Sequence, residues 1–188
     1  MANTLSGAVG ILLMRAAGMA ARGNAAVDIL AVISFCILPP FITGALQSMV
    51  LRRLLAGPGR WLIASGVGYG IGFLIFAGVA SAGVGILGEE SQWAILPFIA
   101  GSGLFGAAAG IAQYNVLRRS TAHSGWWPLA SAIGMAASVV LFMIVTRGND
   151  TGPYAVMATG AVSGLLFGII TGLPLAWLLR PLAPGTTV

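Results

Sequence analysis

From Trp61 to Leu87 the chain carries no Asp, Glu, Lys, Arg or His, and the same is true of 93–117, 126–146 and 153–179. A helix needs about 20 apolar residues to cross a hydrocarbon core about 30 Å thick, so each run is long enough to span a bilayer. These runs are apolar on every side, whereas the strands of a membrane barrel alternate apolar and polar residues with period two. A lipid-embedded chain must satisfy its backbone hydrogen bonds internally, which leaves helices. Only 7% of residues are charged, against roughly a quarter in a water-soluble domain. The expected fold class is therefore all-α, a polytopic membrane protein forming one transmembrane domain over residues 1–188.

The chain also repeats itself. Gly44-Ala-Leu-Gln47-Ser-Met-Val50-Leu51-Arg52-Arg53 returns 66 positions later as Gly110-Ile-Ala-Gln113-Tyr-Asn-Val116-Leu117-Arg118-Arg119. The match continues from Trp61 and Ala64-Ser65-x-x-Gly68 to Trp127 and Ala130-Ser131-x-x-Gly134. One offset holding at several separate places indicates duplication. Ala2-Asn3-x-x-Ser6 resembles Ala64-Ser65-x-x-Gly68, which extends the pattern to three tandem helical hairpins at about 2–53, 61–119 and 127–180. Each copy crosses twice, so successive copies run parallel, unlike the inverted repeats of many transporters. Six helices with pseudo-threefold symmetry are the expected closure.

Two readings fit residues 2–22. Arg15 interrupts the apolar run there, and Arg15 and Arg22, seven apart, suit an interfacial amphipathic helix; the repeat favours a crossing. A second helix is expected from Asp28 to Leu51, kinked at Pro39-Pro40. Helices three to six are expected at 61–87, 93–117, 126–146 and 153–180, with breaks at Gly57-Pro58-Gly59, Gly88 to Gln92, Arg118 to Gly125 and Arg147 to Gly152. The amino-terminal residues lack a basic n-region and read as mature structure.

Charge sets the expected orientation. Arg52, Arg53, Arg60, Arg118, Arg119 and Arg180 share one side with no acid; Arg15, Arg22 and Arg147 share the other with Asp28, Glu89, Glu90 and Asp150. The positive-inside rule makes the arginine-rich side cytoplasmic, with both termini inside a bacterial inner membrane. Trp61, Trp126, Trp127 and Trp177 gather near that side, as an interfacial belt would.

Three groups of residues are candidates for more than span-filling. Gly160, Gly164, Gly168 and Gly172 recur every four residues, a face that lets helices approach closely, within the chain or against a second copy or partner subunit. Gly68, Gly72, Gly106 and Gly110 suggest the same on helices three and four. Gln47 and Gln113 lie five residues before an arginine pair, about 7.5 Å below the interface; an amide at that depth needs a partner, as an interhelical clamp or a polar constriction. Arg52, Arg53, Arg118, Arg119 and Arg180 are topology anchors or ligands for anionic lipid headgroups. If the third copy is aligned Gly172–Arg180 on Gly44–Arg52, Leu175 stands at the glutamine position.

What is missing excludes several functions. The arginines sit at helix ends rather than along a stripe, which argues against nucleic acid. Cys36 is alone, so it has no intramolecular disulfide partner. His123 reads as a solvated loop residue, and Glu89-Glu90 has no further ligands nearby for a metal. No phosphate loop or paired catalytic carboxylates appear, and only Arg15 places a charge deep in an expected span, where coupled transporters keep theirs. No cofactor and no enzymatic activity are expected.

The string Gly-x-x-Gln-x-x-Val-Leu-Arg-Arg followed by Trp-x-x-Ala-Ser-x-x-Gly resembles a group of uncharacterised bacterial multi-pass membrane proteins. Gly164 to Arg180 is similar to their closing segment, while Ser48, Tyr114 and Pro174 depart from their pattern. The resemblance covers Gly44 to Arg180 best; it implies six helices and no established activity. The expected function is a non-enzymatic scaffold or accessory subunit packing through glycine faces. The alternative is a passive channel or facilitator for a small solute, lined by Ser102, Ser131, Ser138, Thr159 and Ser163.

Overall fold

A computed structural model describes residues 44–45, 47–49, 51, 58–88, 90–121, 124–146 and 153–179. The first expected helix, and the second up to residue 43, lie outside them, as do Arg52, Arg53, Glu89, His123, Arg147, Asp150 and Arg180. Among the described residues the chain is all-helical. Residues 44, 45, 47–49 and 51 are helical, and they precede α1 (Pro58–Leu87), α2 (Ile95–Leu117), a 3₁₀ turn (Ser124–Trp126), α3 (Trp127–Thr146) and α4 (Pro153–Leu179). Among the described residues four helices are long and apolar enough to cross a membrane, the mark of a membrane-embedded protein.

Local chemistry sets the helix ends. Gly88 takes φ +82°, a left-handed conformation that glycine adopts without strain, and its N–H caps Val84 O at 2.8 Å to close α1. Pro97 lies in the first turn of α2, where its missing donor costs little. Pro174 lies inside α4 and removes one backbone donor there.

Packing runs in sequence, α1 on α2, α2 on α3 and α3 on α4. The interior is small and the exterior large, the inverse of a soluble bundle. Ile63, Val67, Ile71 and Leu74 of α1 are all at least half exposed, while Ser65, Gly68 and Gly72 on its other face are buried. Lipid tails are as apolar as leucine, so close backbone approach and its dispersion contacts hold such helices together. A Cβ on Gly68 would stand 2.8 Å from Ala109 Cα, and one on Gly110 would stand 2.6 Å from Pro128 Cα. One on Gly106 would collide with the Ser131 carbonyl. Edge-to-face packing of Tyr69 on Phe105, with ring centroids 5.6 Å apart, fills the α1–α2 seam further out.

Candidate functional site: a repeated amide–indole clamp

Antiparallel packing brings the start of α1, the end of α2, the start of α3 and the end of α4 to one end of the bundle. Leu51, Trp61, Leu117 and Trp127 form a buried cluster there, with Val116 and Leu175 packed against it. Its four buried members are two sequence-equivalent pairs, each 66 positions apart. The two indoles lie 6.0 Å apart, tilted by 56°.

A buried indole N–H can only donate, and in hydrocarbon it needs an acceptor. Trp127 Nε1 donates to Gln113 Oε1 at 2.8 Å, and Trp61 Nε1 donates to Gln47 Oε1 at 3.2 Å. Each pair is separated by 14 residues. Because tryptophan is donor-only, the amide oxygen must face it, which turns the Gln113 NH₂ towards Ser65 Oγ at 2.9 Å. One amide thus ties α2 to α3 and to α1. The backbone matches too. A Cβ on Gly44 would meet Ser65 Cβ at 3.0 Å and Leu62, and one on Gly110 would meet Ser131 Cβ at 3.0 Å and Pro128; both neighbours are again 66 positions apart.

Two sequence expectations need correction. Trp61 and Trp127 are buried at 0% and 2% exposure, so they form the clamp and not a lipid-facing belt; Trp126 and Trp177 are more than half exposed, as belt residues would be. The expected alignment of Gly172–Arg180 on Gly44–Arg52 also moves. Gly68 packs on Ala109 and Ala112, and its equivalent Gly134 packs on Phe167 and Ile170, so α4 follows α2 at an offset of 58 positions. Leu175 then stands with Leu51 and Leu117, in agreement with its place against their cluster, and Thr171 takes the glutamine position. Thr171 is buried and donates to Phe167 O at 2.7 Å within its own helix. Gly168, not Gly172, is the counterpart of Gly110.

The remaining candidates divide. Gly160 is buried and Gly164 and Gly168 are half-buried, but Gly172 is exposed, with nothing within 4 Å of an added Cβ. The glycine face therefore does not run the full length of the row. Arg118 and Arg119 are exposed. Ser102, Ser131, Ser138, Thr159 and Ser163 are all buried. Ser102 donates to Phe98 O in its own helix, and Ser138 Oγ lies 2.7 Å from Gly134 O and 3.0 Å from Ser163 O. The clamp partners Trp61, Trp127 and Ser65 were not among the sequence candidates; the equal Gln–Trp spacing of 14 was the signal for the two tryptophans, and Ser65, 48 residues from Gln113, had none. No family model matches this chain, nor does any curated protein or solved structure.

Proposed function

We propose that the protein is a non-enzymatic scaffold or accessory subunit of a bacterial inner membrane, with both termini cytoplasmic, built of three tandem hairpins. The observation that carries this reading is the use of Gln113: its amide is engaged at both ends, by Trp127 and by Ser65, deep at a three-helix junction. A polar group so engaged holds helices together and is not presented to a passing solute. The glycine contacts add support, since Gly106 and Gly110 bring α2 onto the α3 backbone and leave no room for a path between these helices. Two of the serines that would line a channel turn to carbonyls of the bundle, Ser102 to Phe98 and Ser138 to Gly134 and Ser163, while the buried Ser163 hydroxyl has no partner among the described residues. Gly172, exposed and open at its Cβ position, is available to a partner helix or a second copy.

The test is purification from native membranes in mild detergent. Stoichiometric recovery of a membrane partner, reduced by Gly172→Leu, is the expected result. A chain that always elutes alone as a monomer contradicts it.

A further inference from the structure

Beside the clamp, on the outer side of α1 and α2, lies a groove of about 530 Å³, a volume typical of small-ligand sites. Arg60, Asn115, Arg119 and Ser120 line one part of it, and Ile63 and Val67 are among its apolar walls. No acid lines it. Arg60 begins α1 at the bundle end where Arg119 follows α2, so both cations lie at the membrane surface. Val67 is seven residues further along α1, about 10 Å deeper into hydrocarbon. Cations at the surface above an apolar trough are complementary to an amphiphile with an anionic head.

We propose that this groove holds one anionic phospholipid, its phosphate at Arg60 and Arg119 and an acyl chain along Ile63 and Val67. Arginine suits the phosphate, because its planar fork donates two parallel hydrogen bonds. The chain carries its own control. By the packing register, the counterparts of Arg60 and Arg119 in the α3–α4 hairpin are Trp126 and Trp177, and that of Asn115 is Leu173. Indoles at the interface anchor helices as arginines do, without charge. The hairpin geometry therefore does not require the cation pair, and its presence between α1 and α2, but not between α3 and α4 among the described residues, marks that groove for an anion. Arg60 was not among the sequence candidates for lipid contact; its place opposite Arg119 shows only once α1 and α2 are packed. The proposal rests on membrane placement and not on the scaffold role.

The test is a binding titration of the full chain in mild detergent, read by native mass spectrometry, with phosphatidylglycerol, phosphatidylcholine and inorganic phosphate as probes. Phosphatidylglycerol should bind at one site, with phosphatidylcholine and phosphate both much weaker. Arg60→Trp/Arg119→Trp, which copies the α3–α4 hairpin, should weaken phosphatidylglycerol about 30-fold, as expected for two juxtamembrane cations. Arg119→Gln and Arg118→Gln remove the same charge from adjacent residues, and only the first should weaken binding; this pair decides the matter if the double variant does not fold. Equal losses in the two glutamine variants mean a diffuse cationic ring and overturn the proposal. So does phosphatidylcholine binding as well as phosphatidylglycerol, phosphate competing at equal strength, or a self-associated chain whose groove takes no lipid.

Discussion

Gln113 accepts the indole N–H of Trp127 at 2.8 Å, and the same bond, 3.2 Å long, recurs 66 positions earlier between Gln47 and Trp61. The Gln113 pair is the shorter and more deeply buried, and among the described residues Gln113 alone of the two also donates to a serine, Ser65. Interhelical hydrogen bonds in membranes contribute about 0.6–2 kcal/mol. Trp127→Phe keeps a ring in the cluster, removes the donor and should destabilise the bundle by about 1–3 kcal/mol. A double-mutant cycle with Gln113→Leu, read by unfolding in mixed micelles, should give a coupling inside the hydrogen-bond range. Strict additivity would mean that the bond contributes nothing.

The two glutamines should not be equal. Gln113→Leu strands the Trp127 N–H and the Ser65 hydroxyl, and Gln47→Leu strands, among the described residues, the Trp61 N–H alone. Leucine is well solvated by lipid, so both variants should insert normally and lose no more than about 2 kcal/mol, with the larger loss at Gln113. The reverse order in the same unfolding assay would be inconsistent with the bonding described.

Glycine substitutions should sort by what a Cβ meets. At Gly110 it meets the Pro128 backbone at 2.6 Å, whereas at Gly78 it meets nothing within 4 Å. Gly110→Ala should cost about 1–3 kcal/mol, because backbone cannot swing aside as a side chain can. Gly78→Ala should be neutral, or stabilising by up to about 1 kcal/mol through helix propensity. Thermal melts of both variants in one detergent make the comparison.

Much of the fold was legible in the sequence because its signals are one-dimensional. Uncharged runs located α1 to α4 to within three residues, and Gly88 marked the end of α1. The direction a residue faces is not one-dimensional. Trp61 and Trp127 stand at span ends where belt tryptophans also stand, and residue type cannot tell an inward indole from an outward one. The register of α4 is ambiguous in the sequence for a related reason. Its glycines recur every four residues, so a slip of one helical turn lays glycine on glycine. Only the packing of Gly134 on Phe167 fixes the register and puts Thr171 at the glutamine position.

Orientation rests on the arginines. Reporter fusions after Glu90 and after Val188 should report opposite sides, with the carboxy terminus cytoplasmic. An outward carboxy terminus would put Arg60, Arg118 and Arg119 on the wrong face of the membrane and contradict the topology.

On the proposed scaffold reading, the Gln47 and Gln113 amides hold helices together and do not gate a path. The most direct measurement is solute flux across liposomes containing wild-type protein or the Gln47→Leu/Gln113→Leu double variant, with folding verified in each. No protein-dependent flux of small neutral solutes or ions is predicted in either preparation. Specific flux in the wild type that disappears in a stably folded double variant would contradict the claim.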